Sequence, residues 1–414
     1  MRIVYLNPCG ELGGAETSLR EVLAGVRSAE PSWELSLVLG EDGPLAGIAR
    51  ELGVEVIVAP FPRQLSRLGD AGGGAFAQMR SLLRAAPGTA KYARGLARLL
   101  GKLQPHVVHT NGFKMHLLGA WSTPREAALV WHIHDYVSAR RVVSRLLRLV
   151  SSKCRAAIAN SHSVAADLKS LMPRLDVVPI YNAVDFERFS PDGARLDLDA
   201  LAGLPPAAAG AIRVGLVGTF ARWKGHKVFL QALARLSGPD SVRGYIIGGP
   251  IYQTAGSQWS MTELREEAAR LGLTGHVGFT GFVADTAAAM RSLDIVVHAS
   301  TKPEPFGMVI VEGMASGKAV LAASAGGASE LFTDGVDALG HVPGDAAMLS
   351  ERIALLASDD ELRRRLGREG RRTAQRVYHR RRLVGELLGL YARFFDGGLR
   401  SPAETASANA VVGD

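Results

Sequence analysis

LDIVVHASTKPEPFGMVIVEGMASGKAVLAAS, residues 293–324, strings together an apolar run, a polar turn, a second apolar run and a third. LDIVVHAS reads as a buried strand and KAVLAAS as another. Between them, Pro305 stands where a helix would begin, since its fixed φ suits a first turn. Gly317 stands where that helix would end. Strand, helix and strand in this order form the unit of a parallel sheet. Glu304 then sits at the strand-to-helix turn and Glu312 on the helix. Eight helical residues span roughly 12 Å of axis, more than the roughly 5–9 Å between the paired carboxylates of a glycosidase. The spacing fits the two ends of an extended ligand. The helix start between them offers N–H groups and a positive dipole, which suit phosphate. Sugar, diphosphate and ribose in that order describe a nucleotide-sugar.

The same alternation runs outward in both directions. RIVYLNP enters a glycine-rich loop, CGELGGAE, and then a helix, TSLREVLAGVRSA. LSLVLG, VEVIVAP, HVVHTN, ALVWHIHD and AAIANS continue as strands, interrupted by long basic helix-like sequence over 62–104. After Pro-, Gly- and Asp-rich sequence that reads as a linker, a second set opens with IRVGLVG and continues with GYIIGG and HVGFTG. The fold class is therefore α/β, with two strand–helix domains in tandem. Ligand sites of such sheets lie at the carboxyl ends of the strands, and two facing domains would form a cleft.

A chain of 414 residues exceeds the usual size of a single core, in agreement with two domains. Two cysteines, Cys9 and Cys154, make neither a disulfide framework nor a metal-ligand pattern, and fit a reducing cytosol. MRIVYLN lacks a secretory pattern, and no apolar run reaches membrane-spanning length. The net charge of +8 is uneven: residues 61–155 hold sixteen Lys/Arg against three acids. A positive field there favours an anionic partner.

EPFGMVIVE (304–312) resembles the Glu–seven residues–Glu motif of the family 4 retaining glycosyltransferases. The likeness extends, in order, through GGAE (13–16), HIHD (132–135), ANSHSV (159–164), YNAVDFERF (181–189), VGTFARWKGH (217–226), GFTGFVAD (278–285), LDIVVHAS (293–300), GKAVLAASAGGASEL (317–331) and VPGD (342–345). It covers almost the whole chain except 62–104 and the tail. It implies a GT-B architecture of two Rossmann-like domains facing each other across a cleft: an acceptor-binding domain over 1–185, a linker over 186–211, and a donor-binding domain over 212–375. A helix over 376–396 returns to the first domain, and a disordered tail follows over 397–414.

The resemblance also implies roles. Glu304 binds donor-sugar hydroxyls, Glu312 the ribose, and Lys224 the diphosphate, with Phe306, Gly307 and Met308 at the helix start beside the donor. Gly13 and Gly14 let loop backbone approach phosphate. His134 stands near the donor sugar, and Glu16 and Asn182 on the acceptor side. An arginine usual in the family is Thr219 here, and Arg222 is a candidate replacement. Glu304, His134 and Lys224 are the expected catalytic residues. No metal and no cofactor are expected; His132 and His134 share strand parity, but no third ligand accompanies them. The function implied is retaining transfer of a sugar from a nucleotide-diphosphate-sugar to a hydroxyl of an envelope glycan or lipid-linked acceptor. A non-catalytic nucleotide-sugar-binding subunit is the alternative. A nicotinamide enzyme is disfavoured because no G-x-G-x-x-G follows either opening strand.

Two basic segments, 62–104 and 139–155, interleave Arg and Lys with apolar residues at helical spacing. They are candidates for docking on an anionic membrane surface, which would place the protein peripherally on the inner face of the cell membrane. No nucleic-acid motif accompanies the charge.

Overall fold

The computed structural model describes residues 1–62, 75–236, 241–250 and 256–395, with side chains of the long basic helix described from residue 86. The chain divides into two compact units. The first holds Met1–Ala183 together with the stretch from Arg380; the second holds Val184–His379.

In the first unit, seven parallel strands are described: β1 (Arg2–Asn7), β2 (Glu34–Leu39), β3 (Glu55–Val58), β4 (Val107–Asn111), β5 (Ala128–Ile133), β6 (Ala156–Ala159) and β7 (Val177–Pro179). Their order is β3-β2-β1-β4-β5-β6-β7. The strands are continuous apolar runs because helices cover both faces. One face packs Leu6, Val108 and Trp131 against the helices Ala75–Leu103 and Phe113–Ser122. The other packs Ile3, Tyr5 and Val130 against Gly14–Ala29 and the last helix, Arg380–Ala392.

That last helix is fixed to its own unit in two ways. Leu383, Leu387 and Tyr391 are fully buried on the sheet. Full burial of one such leucine stabilises by about 1.5–3 kcal/mol. Its Arg380 pairs at 2.7 Å with Glu21, itself 1 % exposed. Gly25 permits the approach, since a Cβ there would lie 2.3 Å from Val384.

The second unit holds β8 (Ile212–Val217), β9 (Val242–Ile247), β10 (Val277–Gly281), β11 (Ile295–His298), β12 (Ala319–Ala323) and β13 (Leu339–His341), ordered β10-β9-β8-β11-β12-β13. Counted along each sheet, the two orders share the pattern 3-2-1-4-5-6. The direction of winding reverses between β1 and β4, and again between β8 and β11. The opening stretch behaves as its sequence suggests: β11 and β12 are wholly buried and paired in parallel, Ile295 opposite Ala319. The helix between them spans Met308–Ala315.

Composition misled in one place. Residues 186–211, expected to be a linker, belong to the second unit and contain a helix, Leu198–Ala202. Phe189 and Leu198 are buried. Buried Asp199 accepts hydrogen bonds from Tyr245 at 2.7 Å and Arg213 at 2.9 Å. The final helix spans Arg380–Ala392, and the first residues of the expected 376–396 segment belong to the preceding helix, Asp360–Val377. The expected disordered tail, 397–414, lies outside the described residues.

Candidate active site

The carboxyl ends of β8 and β11 flank the winding reversal of the second unit, where an open parallel sheet forms its ligand crevice. The loop leaving β8 ends in a single turn, Arg222–Lys224, followed by Gly225. The backbone of Gly225 is left-handed, with φ +77°, and a Cβ there would lie 1.8 Å from the Ala299 carbonyl oxygen. Only glycine combines that angle with that approach. A further tie is the Thr301 amide, which donates to the Trp223 carbonyl at 2.7 Å. Two loops distant in sequence are thereby locked side by side.

Their side chains meet in a charged cluster. Lys224 Nζ pairs with Glu304 Oε1. Glu304 Oε2 accepts from His298 Nε2 at 2.9 Å and from the Ser300 hydroxyl. Glu304 is 6 % exposed. Burial alone would push its carboxyl pKa up; the Lys224 charge and the His298 contact outweigh this and hold it well below the usual carboxylate range. A partly buried ion pair adds little net stability, because desolvation offsets its attraction. It fixes an anion and a cation at one place in the fold.

The rest of the motif is arranged around the helix start. Phe306 turns inward, 3 % exposed, with its ring edge-on to Tyr378 at 6.1 Å, so it offers a ligand main chain rather than ring. Gly307 is left-handed, with φ 109°, and caps Met308–Ala315 without any side-chain hydrogen bond to the first N–H groups. Met308 and Glu312 are half-buried on that helix. Thr219 is half-buried in the loop after β8. Arg222, the candidate replacement for the missing arginine, lies over the Trp259 ring at 3.7 Å and pairs with Glu263 at 3.2 Å. Lys227 lies over the same ring at 4.3 Å.

In the first unit, Gly13 and Gly14 follow β1. A Cβ at Gly14 would meet nothing within 4 Å, so packing does not demand glycine there. Glu16 and Asn182, expected on the acceptor side, both have partners within this unit. Glu16 Oε2 accepts from the Gly13 amide at 3.2 Å and Oε1 from Asn7 at 3.3 Å, so the carboxylate caps its own helix. Asn182, 3 % exposed, accepts from Ser18 at 2.8 Å, and its carbonyl accepts from Arg382 at 3.2 Å.

His134 lies just past β5, with Nε2 3.0 Å from Asn111 Oδ1. Its ring lies tilted by 34° against that of His132, with centroids 4.1 Å apart. His132 Nδ1 is 3.1 Å from His109 Nε2, and His109 Nδ1 is 2.6 Å from the Tyr391 hydroxyl of the last helix. Burial lowers the pKa of His134 to about 4; burial, then the proximity of His134, lowers that of His109. These rings are neutral near pH 7. Among the described residues no group of three or more His, Cys, Asp or Glu is placed to hold a metal.

Sequence reasoning missed His298, Ser300, His109 and Tyr391. The first two stood inside the quoted motif: HAS ends the strand, and its histidine and serine precede Glu304 by six and four residues.

Comparison with known proteins accounts for most of the chain. Residues 12–188 match the family model described as Glycosyltransferase Family 4, and residues 207–373 match Glycosyl transferases group 1. The lipopolysaccharide core biosynthesis mannosyltransferase LpcC of Rhizobium leguminosarum bv. viciae is 28% identical over 264 residues, 59% of this chain and 73% of LpcC. The lipopolysaccharide core biosynthesis glycosyltransferase LpsE of Rhizobium meliloti (strain 1021) is 30% identical over 176 residues, 42% of this chain. That match spans 48% of LpsE, about half its length. The crystal structure of Anabaena HepE in complex with UDP-glucose superposes with a TM-score of 0.75 and 26% identity, covering 95% of this chain and 100% of that one. Two doubly wound parallel sheets, each in the part of the sequence that its own model matches, give the chain the GT-B fold, with a region similar to family 4 glycosyltransferases followed by one similar to group 1.

Proposed function

We propose that the protein is a retaining glycosyltransferase that takes a sugar from a nucleotide-diphosphate-sugar and transfers it to a hydroxyl of an envelope glycan or lipid-linked acceptor. The observation that carries this reading is the Lys224–Glu304 pair at the carboxyl ends of β8 and β11. A lysine there suits a departing diphosphate, and the carboxylate beside it suits sugar hydroxyls. HepE, a relative of the same fold, was crystallised with UDP and with UDP-glucose. LpcC and LpsE bear names from lipopolysaccharide core biosynthesis, which motivates the acceptor class.

In the mechanism that follows, Lys224 and the uncapped N–H groups of Met308–Ala315 stabilise charge growing on the leaving diphosphate. Glu304 holds the sugar and Glu312 the ribose. Lys224 supplies the positive charge for this step, so the reaction is proposed to be metal-independent. Retention of configuration follows if the departing phosphate deprotonates the acceptor on the face it leaves. His134, neutral and hydrogen-bonded to Asn111, is a hydrogen-bonding group rather than a cation.

Thr219 supports a second reading. The chain lacks the charge usual at that position, and Arg222 is engaged with Trp259 and Glu263. A protein that binds nucleotide-sugar without transferring it would tolerate this. A thermal-shift panel of UDP-, GDP- and ADP-sugars with their free nucleotides tests both readings, because a ligand of the folded state raises the melting temperature. Binding of one such donor with its slow hydrolysis supports transfer, binding with no turnover supports the second reading, and no shift with any nucleotide refutes both.

The chain is also proposed to work at an anionic membrane surface of the cytoplasm. Lys91, Arg94, Arg98 and Lys102 are exposed along one helix whose Ala93, Leu96 and Leu100 are buried. Arg141, Arg145 and Arg148 are exposed on Arg141–Val150, beside Leu149, which is 78 % exposed. Arg63 and Arg67 lie outside the described residues, as do the side chains of Arg80 and Arg84. No described helix is long and apolar enough to cross a membrane. Co-sedimentation with anionic but not neutral vesicles is the expected result.

A further inference from the structure

The cluster around Glu304 contains a residue that the sequence motif does not name. His298 is the last residue of β11 and is 3 % exposed. Its two ring nitrogens face different partners. Nδ1 accepts from the backbone amide of Ala323, at 3.3 Å, on neighbouring β12. A backbone amide is a donor only, so Nδ1 carries the lone pair and Nε2 carries the proton. Nε2–H therefore donates to Glu304 Oε2 at 2.9 Å. The strand end that presents this ring is itself held: His341 of β13 reaches across β12, with Nε2 3.1 Å from the His298 carbonyl oxygen.

The two carboxylate oxygens of Glu304 thus differ. Oε2 faces His298 and Ser300, both rigidly mounted at the end of β11. Oε1 faces Lys224, half-buried on a longer, flexible stem. A lysine that turns to a diphosphate withdraws from Oε1 and frees it for a sugar hydroxyl. The orientation of the carboxylate then depends on what holds Oε2.

We propose that His298 is a positioning residue that aims Glu304 at the donor sugar, and that it thereby lets the site distinguish an intact nucleotide-sugar from the bare nucleotide. The inference rests on the reading of Glu304 as the sugar-binding carboxylate. His298 touches neither nucleotide nor sugar in this arrangement; it acts through Glu304.

The test compares affinities, by calorimetry, for two ligand pairs: UDP-glucose with UDP, and GDP-mannose with GDP. The quantity read is the preference for nucleotide-sugar over its own nucleotide, in the full chain and in His298→Leu, His298→Gln and Glu304→Gln. Loss of a hydrogen bond to a charged group predicts a roughly ten- to hundredfold fall in that preference for His298→Leu and Glu304→Gln. Affinity for the free nucleotide stays within about twofold. His298→Gln, whose amide reaches a similar point, retains most of the preference. The His298→Leu/Glu304→Gln double variant is no worse than Glu304→Gln alone, because both remove one interaction.

If Glu304→Gln abolishes the preference and His298→Leu leaves it intact, the inference fails and the reading of Glu304 stands. If Glu304→Gln leaves it intact, or if the wild type prefers neither sugar, the reading itself fails and takes the inference with it. Equal loss of nucleotide and nucleotide-sugar in His298→Leu marks a merely structural role and overturns the inference. A measurement independent of the variants' folding is the ¹⁵N spectrum of the wild-type histidines. It is expected to show His298 protonated at Nε2, and a proton on Nδ1 alone overturns the proposal.

Discussion

The two units share one winding pattern and present opposite electrostatics at the ends of their central strands. In the second, a buried carboxylate and a half-buried lysine are brought together, and the carboxyl stays ionised. In the first, His109 and His132 are fully buried and His134 half-buried, and burial keeps all three neutral. The backbone does not decide which of these happens. The second unit supplies opposite charges within contact distance, whereas in the first the hydrogen-bond partners described for these rings are neutral, such as the Asn111 amide and the Tyr391 hydroxyl. Burial neutralises a polar group unless a counter-charge answers it.

The strongest way to break this contrast is to remove the counter-charge. Lys224→Ala is expected to lower turnover about 10²-fold or more, by loss of one charge at the leaving group. It also leaves Glu304 with one fewer compensating charge. Near-normal turnover with the best donor of the panel would refute the phosphate role.

Next in size is an apolar perturbation of the first unit. Leu387→Ala removes a fully buried side chain of the last helix and is expected to cost about 2–5 kcal/mol in chemical denaturation. A cost under about 1 kcal/mol would show that the helix does not complete that core.

Acid sharpens the comparison without mutation. A histidine whose pKa falls on folding is protonated more readily in the unfolded chain. Its stabilising contribution is full above its ordinary pKa of 6.5 and declines as pH falls toward the folded value, about 4 for His134. Glu304 has the opposite history: its pKa is depressed from 4.5, so its contribution persists above that value and fades only in stronger acid. Between about pH 6.5 and 4.5, hydrogen exchange is expected to rise in β4 and β5 before it rises in β11 and β12. His226, likewise buried and lowered to about 4, adds a local weakening in His226–Leu233. Simultaneous loss of protection in all these segments would remove the distinction.

The smallest effect is expected from Arg222→Ala. Its ion pair with Glu263 is exposed, at 41 % and 43 %, and such pairs contribute about 0–1 kcal/mol. A thermal shift of a degree or two with unchanged donor affinity would confirm that Thr219 has no substitute in Arg222. A large loss of affinity would show that the guanidinium leaves Trp259 when donor binds.

The βαβ unit around Glu304 was legible because its strands are uninterrupted apolar runs and its turn carries Pro and Gly at fixed places. Glu16 was not, because a glutamate three residues after a glycine satisfies a helix start as readily as it meets a ligand. The partners of Arg222 were hidden for a similar reason: Trp259 and Glu263 lie some forty residues away, and no local pattern announces them. His298 was hidden inside a strand, where a polar residue in an apolar run looks like a core exception. The mistaken linker shows the limit of composition. Asp199 is a loop-like residue by type and a buried anchor by virtue of Arg213 and Tyr245, which follow it in the chain.

The placement of Arg380–Ala392 has a consequence for synthesis. The second unit is, in effect, inserted within the first. As the chain leaves the ribosome, residues 184–379 can finish their sheet while the earlier one still shows the bare apolar face that Leu383, Leu387 and Tyr391 will cover. The part made first is completed last, and during that interval it is the half exposed to chaperones, proteases and aggregation.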